Sequence, residues 1–129
     1  MQPFAGRRGS VAELDSTTGA PVVLFVTADA QLREAVARVL PREGYRVLTA
    51  SHAGHAVLQC LQTRVDIAAI DLSMDDMSGP AIAERLRRQC PGLRAVYLAH
   101  SGTPECEGVL VRPFTRDDLL ARLAVSAAS

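Results

Sequence analysis

Val65-Asp66-Ile67-Ala68-Ala69-Ile70-Asp71, followed by Leu72-Ser73-Met74-Asp75-Asp76-Met77-Ser78-Gly79, decides how the chain is read. Ile67 to Ile70 is a short apolar run with β-branched ends, bounded by acidic residues and a Gly-containing loop. That pattern predicts a strand buried on both faces, the kind found in parallel sheets. In open parallel sheets the ligand crevice lies just outside the carboxyl ends of the strands. Asp71 stands at such an end, so its carboxylate is the first candidate for chemistry.

Toward the N-terminus, Val22 to Val26 is a second all-apolar run and predicts another buried strand. Asp29 is an N-cap for a helix over Ala30 to Leu40, with Leu32, Val36, Val39 and Leu40 on one stripe. Pro41 ends or kinks that helix and Gly44 marks a turn. Arg46 to Ala50 predicts a strand, and Gly54 to Gln62 a helix with Val57, Leu58 and Leu61 inward. Toward the C-terminus, Ser78-Gly79-Pro80 opens a helix with Ile82, Leu86 and Cys90 as its stripe, stopped by Pro91-Gly92. Arg94 to Leu98 and Val109 to Val111 predict two more strands. Thr115-Arg116-Asp117-Asp118 has the form of a capping box for a last helix carrying Leu119, Leu120 and Leu123. Alternating strands and helices imply right-handed crossovers. The expected fold is therefore α/β, a doubly wound five-stranded parallel sheet in the order 2-1-3-4-5, with its switch point between the first and third strands.

The 129 residues suffice for one core, and 48% hydrophobic against 22% charged residues describes a globular chain. Fourteen basic and fourteen acidic residues leave no broad footprint for nucleic acid. No apolar run approaches the roughly 18 residues of a membrane span, and the first ten residues lack the apolar segment of a signal peptide. The reading is a cytoplasmic chain with neither a nucleic acid nor a membrane as partner. Residues 1–20, rich in Gly, Ser, Thr and Arg, read as a flexible leader, and residues 21–126 as the domain. Cys60, Cys90 and Cys106 form no Cys-x-x-Cys pair, so neither a disulfide framework nor a zinc site is indicated. His52 and His55 share a helix face without a third ligand nearby, and read as a solvated helix start.

Several of these motifs together resemble one family. Asp71-Leu72 with Met77-Ser78-Gly79 is similar to the phosphoacceptor strand and following loop of response-regulator receiver domains, the flavodoxin-like modules of two-component phosphorelays. Leu32-Arg33, Glu43-Gly44-Tyr45 and Arg112-Pro113-Phe114 resemble that family's first helix, the loop before its second strand and its Lys-Pro-Phe motif. The likeness runs from Val22 to about Ala99 and resumes at Val109. Pro91 to Leu98 and Phe114 to Leu123 are especially similar to receivers of hybrid histidine kinases. The resemblance implies Asp71 as phosphoacceptor, with Thr27, Ala28, Asp29, Ser73, Ala99 and Arg112 lining the site.

The chain departs from the family's pattern where chemistry is done. Thr27 and Ala28 stand where the resemblance implies an acidic, Mg²⁺-holding pair. Ala99 replaces a hydroxyl residue, Arg112 a lysine, and Asp75 a proline. A carboxylate attacking a phosphoryl group needs the charge on the transferring oxygens neutralised, which Mg²⁺ supplies when carboxylates hold it. Ala28 offers no side-chain oxygen, and Arg112 presents a planar fork instead of a compact ammonium. No cofactor is expected and Mg²⁺ binding is weak at best; any metal would use Asp71, Ser73 and Asp29. A single-state site is expected, with Arg112 as the cation on Asp71.

Only nine residues, His100 to Gly108, separate the fourth and fifth strands. A parallel crossover with a helix takes at least roughly 10–12 residues, so the fourth helix of the family is expected to be missing or reduced. That loss is expected to uncover Val96, Leu98 and Leu110, making the face of strand 4, strand 5 and the last helix a surface for a partner or a homodimer. The expected function is thus not an enzyme's but that of a degenerate or pseudo-receiver. It would serve as an interaction module for a histidine kinase or effector domain. The alternative is an authentic receiver phosphorylated on Asp71 by a histidine kinase.

Overall fold

The computed structural model describes residues 20–100 and 108–128, with the side chains of 125–128 left aside. The proposed leader, apart from Ala20, and residues 101–107 of the short connection lie outside the described residues. Five strands form one parallel sheet: β1 (Val22–Val26), β2 (Arg46–Ala50), β3 (Ile67–Asp71), β4 (Arg94–Ala99) and β5 (Val109–Val111). Their order is β2-β1-β3-β4-β5, the expected 2-1-3-4-5 arrangement. Among the described residues, four α-helices accompany them: α1 (Ala30–Val39), α2 (Ala53–Gln62), α3 (Gly79–Gln89) and α4 (Arg116–Ala128). None is long and apolar enough to cross a membrane. With β4 ending at Ala99 and β5 starting at Val109, the connection is as short as the sequence implies.

Local signals act as expected at most helix ends. The Asp29 carboxylate accepts from the Leu32 N–H at 3.1 Å, and the Ser78 hydroxyl accepts from the Ala81 N–H at 3.3 Å. A 3₁₀ turn, Leu40–Glu43, with Pro41 near its start, follows α1, and Gly44 closes it at φ +92°, a left-handed conformation costly for any residue with a Cβ. Thr115 and Asp118 exchange side-chain to backbone bonds at 3.0 Å in both directions, a full capping box for α4.

The face of α2 is a correction. Ala53, Ala56 and Cys60 are its buried residues, whereas Leu58 and Leu61, expected inward, are 55% and 59% exposed. Small side chains let this helix lie close to the sheet, and two leucines one turn apart are left on the outside. Val57 is partly buried against the core as expected, but hydrophobicity alone misplaced the two leucines because packing distance, not transfer energy, decided which residues fit.

A second correction concerns the sheet's far side. Val96 and Leu98 are 0% exposed and Leu110 is 5% exposed; they pack in one cluster with Val23, Phe25, Ile67, Ala69, Val36, Leu119 and Leu123. The chain's own α1 and α4 cover them, so the exposed patch expected at these residues does not exist. Strand side chains alternate between faces, and these three point to the α1 and α4 side. Ala95 and Tyr97 point the other way and pack on the α2–α3 cluster with Leu24, Val26, Ala68, Ile70, Ile82 and Leu86. Val109 and Val111, flanking Leu110, share that side by alternation and are half-buried.

Candidate functional site

Three strands deliver the site. β1 and β3 pair with Val26 opposite Ile70, β3 and β4 with Asp71 opposite Leu98, and β4 and β5 with Ala99 opposite Val111. Their carboxyl ends therefore finish level, and Thr27 after β1, Asp71 at the end of β3 and Arg112 after β5 meet there. The Leu72 N–H donates to Leu98 O at 2.8 Å and the Arg112 N–H to Ala99 O at 2.8 Å, carrying the sheet one residue further on each side.

Asp71 is 5% exposed, and among the described residues it and Thr27 are the two buried polar side chains. Both carboxylate oxygens are fully engaged. Oδ1 accepts from the Ser73 N–H at 2.9 Å and from the Ser73 hydroxyl at 2.6 Å. Oδ2 accepts from the Thr27 hydroxyl at 2.8 Å and from Arg112 Nη2 at 3.0 Å. Burial by itself pushes the pKa of such a group up, but the two bonds from Ser73, the Thr27 hydroxyl and the Arg112 charge outweigh it. The net effect holds the Asp71 carboxyl below its ordinary range.

Arg112 follows β5, and its peptide bond to Pro113 is cis. Its guanidinium spans two carboxylates, Nη2 on Asp71 and Nη1 on Asp29 Oδ2 at 3.2 Å. Asp29 thus does two jobs with its two oxygens, capping α1 with Oδ1 and pairing with Arg112 through Oδ2. The Leu32 N–H, chiefly, and Arg112 lower its carboxyl from the usual value. Thr27 is equally committed: its hydroxyl donates to Asp71 and accepts from the Asp29 N–H at 3.1 Å, and its carbonyl accepts from Arg33 Nη1 at 2.7 Å. The arrangement is a closed chain of donors and acceptors in which each member has a partner.

The structure brings together Thr27, Asp29, Ser73, Asp71 and Arg112, while the side chains of two others have no polar role. Ala28 is exposed and carries no oxygen on its side chain; Ala99 is buried and contributes its carbonyl only. Asp75 and Asp76 are exposed, but Asp76 is not simply solvated, since it accepts from the Ala53 N–H at the start of α2 at 2.8 Å. His52 caps the same helix, its Nδ1 accepting from the His55 N–H at 3.2 Å. Among the described residues no cluster of three or more His, Cys, Asp or Glu is placed to hold a metal ion. One residue escaped the sequence reading as a site member: Arg33, which braces the Thr27 carbonyl. Arg33 lies one turn after the cap residue Asp29, a spacing from which its reach back to the strand end could have been drawn.

A family model of the response regulator receiver domain matches residues 23–124. Among curated proteins the chain is similar to the probable transcriptional regulatory protein TcrX of Mycobacterium tuberculosis, 28% identical over 115 residues, which cover 81% of this chain and 49% of that protein. It is also similar to the sensor histidine kinase AruS of Pseudomonas aeruginosa, 33% identical over 92 residues, covering 71% of this chain and 9% of that protein. The chain therefore spans less than half the length of these two relatives. Among solved structures it resembles the chemotaxis protein CheY4 of Vibrio cholerae with a TM-score of 0.75 and 25% identity, over 84% of this chain and 99% of that one.

Proposed function

This chain belongs to the response regulator receiver domain family, and from that premise we propose that it is a degenerate receiver, a signalling module of a two-component phosphorelay that works by binding a protein partner. The observation that carries the proposal is the Arg112 guanidinium seated between Asp71 and Asp29. It places a permanent cation on the carboxylate that would otherwise accept a phosphoryl group. Arginine stays charged at all accessible pH and its fork suits two carboxylates at once, so the contact holds the site in a single state.

The residues present do not fit Mg²⁺. The ion needs near-octahedral oxygen ligands, and Ala28 supplies none, Thr27 spends its hydroxyl on Asp71, and both Asp71 oxygens are already in bonds. Weak Mg²⁺ binding at best follows from that donor set. The partner we propose is a histidine kinase or effector domain, whether separate or in the same polypeptide, acting in the cytoplasm. Residues 21–126 are proposed as the unit that binds it. A cleft of about 320 Å³ between β5 and α4, lined by Val109, Val111, Pro113, Asp118 and Arg122 among others, is the surface offered to that partner or to a second copy.

The second reading, an authentic phosphoacceptor, is favoured by one feature: Asp71 is held ionised at the carboxyl end of β3, as a nucleophile must be. Incubation with a small-molecule phosphodonor and Mg²⁺, followed by intact mass, decides between them. A degenerate receiver keeps its mass, whereas a phosphoryl adduct that disappears in Asp71→Asn supports the second reading.

A further inference from the structure

At the amino-terminal end of the sheet, opposite the Asp71 crevice, an open cleft of about 410 Å³ lies between the C-terminal ends of α2 and α3. Cys60, in the last turn of α2, and Cys90, the C-cap of α3, both line it, and both thiols are free. They are 5% and 7% exposed, so the cleft is their route to solvent. Cys90 Sγ accepts from the Val65 N–H at 3.5 Å and lies 3.8 Å from the Cys60 carbonyl oxygen and 4.0 Å from that of Thr63. The sulfur of one cysteine thus rests against the backbone of the other.

We propose that Cys60 and Cys90 are a modification site, a thiol pair that hydrogen peroxide entering the cleft converts to an intramolecular disulfide joining α2 to α3. The step balances. One sulfur displaces hydroxide from the peroxide O–O bond and becomes a sulfenic acid; the second sulfur displaces the remaining oxygen as water. Two S–H bonds break, one S–S bond forms, two electrons leave the sulfurs, and the peroxide becomes two molecules of water. Burial, and then the neighbouring Cys90, push the Cys60 thiol up to about 12, so the reactive thiolate is scarce at neutral pH. The product carries no charge, and a buried position that resists a thiolate accepts a neutral disulfide. Formation is slow and faster in alkali, and the bond once made is shielded. The 30-residue span it closes contains β3, the Asp71 loop and α3, so oxidation would tie down the segment that carries the candidate site.

The test uses the full chain with Cys106→Ser, which leaves these two thiols as the only ones. After hydrogen peroxide, intact mass should fall by two hydrogens, and a peptide map should give a Cys60–Cys90 cross-link. The Tm should rise by roughly 10 °C, and dithiothreitol should reverse it. Reaction at mildly alkaline pH should outpace that at neutral pH. Adding Cys60→Ala should abolish both the cross-link and the rise in Tm. Oxygen added to either sulfur without a cross-link, a disulfide between two chains, or an unchanged mass in alkali each overturns the proposal.

Discussion

Arg112 lies 3.0 Å from Asp71 and reaches it from the far end of the chain's sheet, while its other nitrogen holds Asp29 at 3.2 Å, so one guanidinium ties the ends of β1, β3 and β5 together. Removing it leaves a buried carboxylate short of its cation. Arg112→Ala is expected to cost about 1–3 kcal/mol in denaturant unfolding. It should also free Asp71 and Asp29 for an added cation: at millimolar Mg²⁺ the Asp71 and Ser73 amides should stay still in the wild type and shift saturably in the variant. Saturable shifts in the wild type would reverse the reading of the site.

Acid should reveal how firmly Asp71 is held. Its carboxyl is lower in the folded chain than in the unfolded one, where it titrates near ~3.9, so the unfolded chain takes up the proton first as pH falls. The stability contributed is complete above the unfolded value and is lost as pH falls through the folded one. Urea titrations across that window should show a falling stability that is shallower in Asp71→Asn, measured on both chains at each pH.

Thr27 is the hub between Asp71 and Asp29, and it is 0% exposed. Thr27→Val keeps the shape and removes a hydroxyl that donates once and accepts once. A loss of about 1–2 kcal/mol is expected, with the Asp71 carboxyl rising toward its ordinary value in an NMR titration. An unmoved titration would mean that the hydroxyl does not support the charge.

The inner face of α2 should be intolerant of bulk and its outer face indifferent to it. Ala56 is 0% exposed against the sheet, and Ala56→Leu should destabilise by about 1–3 kcal/mol through overpacking. Leu58→Ala, on a side chain 55% exposed, should stay within about 0.5 kcal/mol. Thermal unfolding of the two variants measures the difference, and equal losses would place the helix with its other face inward.

What the sequence determined by itself was whatever is written locally. The apolar runs of β1 and β3, the caps at Asp29, Ser78 and Thr115, and the stop at Pro41 and Gly44 each lie within a few residues of the structure they specify. Strand and helix alternation pointed to a doubly wound parallel sheet, and in the observed order Asp71 ends a strand at the switch point. Only the tertiary structure decided which faces were used and which distant groups met. Ala53, Ala56 and Cys60 face inward because close approach to the sheet selects small side chains, a condition no single helix expresses. Val96, Leu98 and Leu110 are covered because strand register turns them toward α1 and α4. The Asp29–Arg112 pair spans 83 residues, and Cys60 and Cys90 lie 30 apart. Contacts at such separations depend on how strands align after folding, so they follow from three-dimensional register and not from any pattern along the chain.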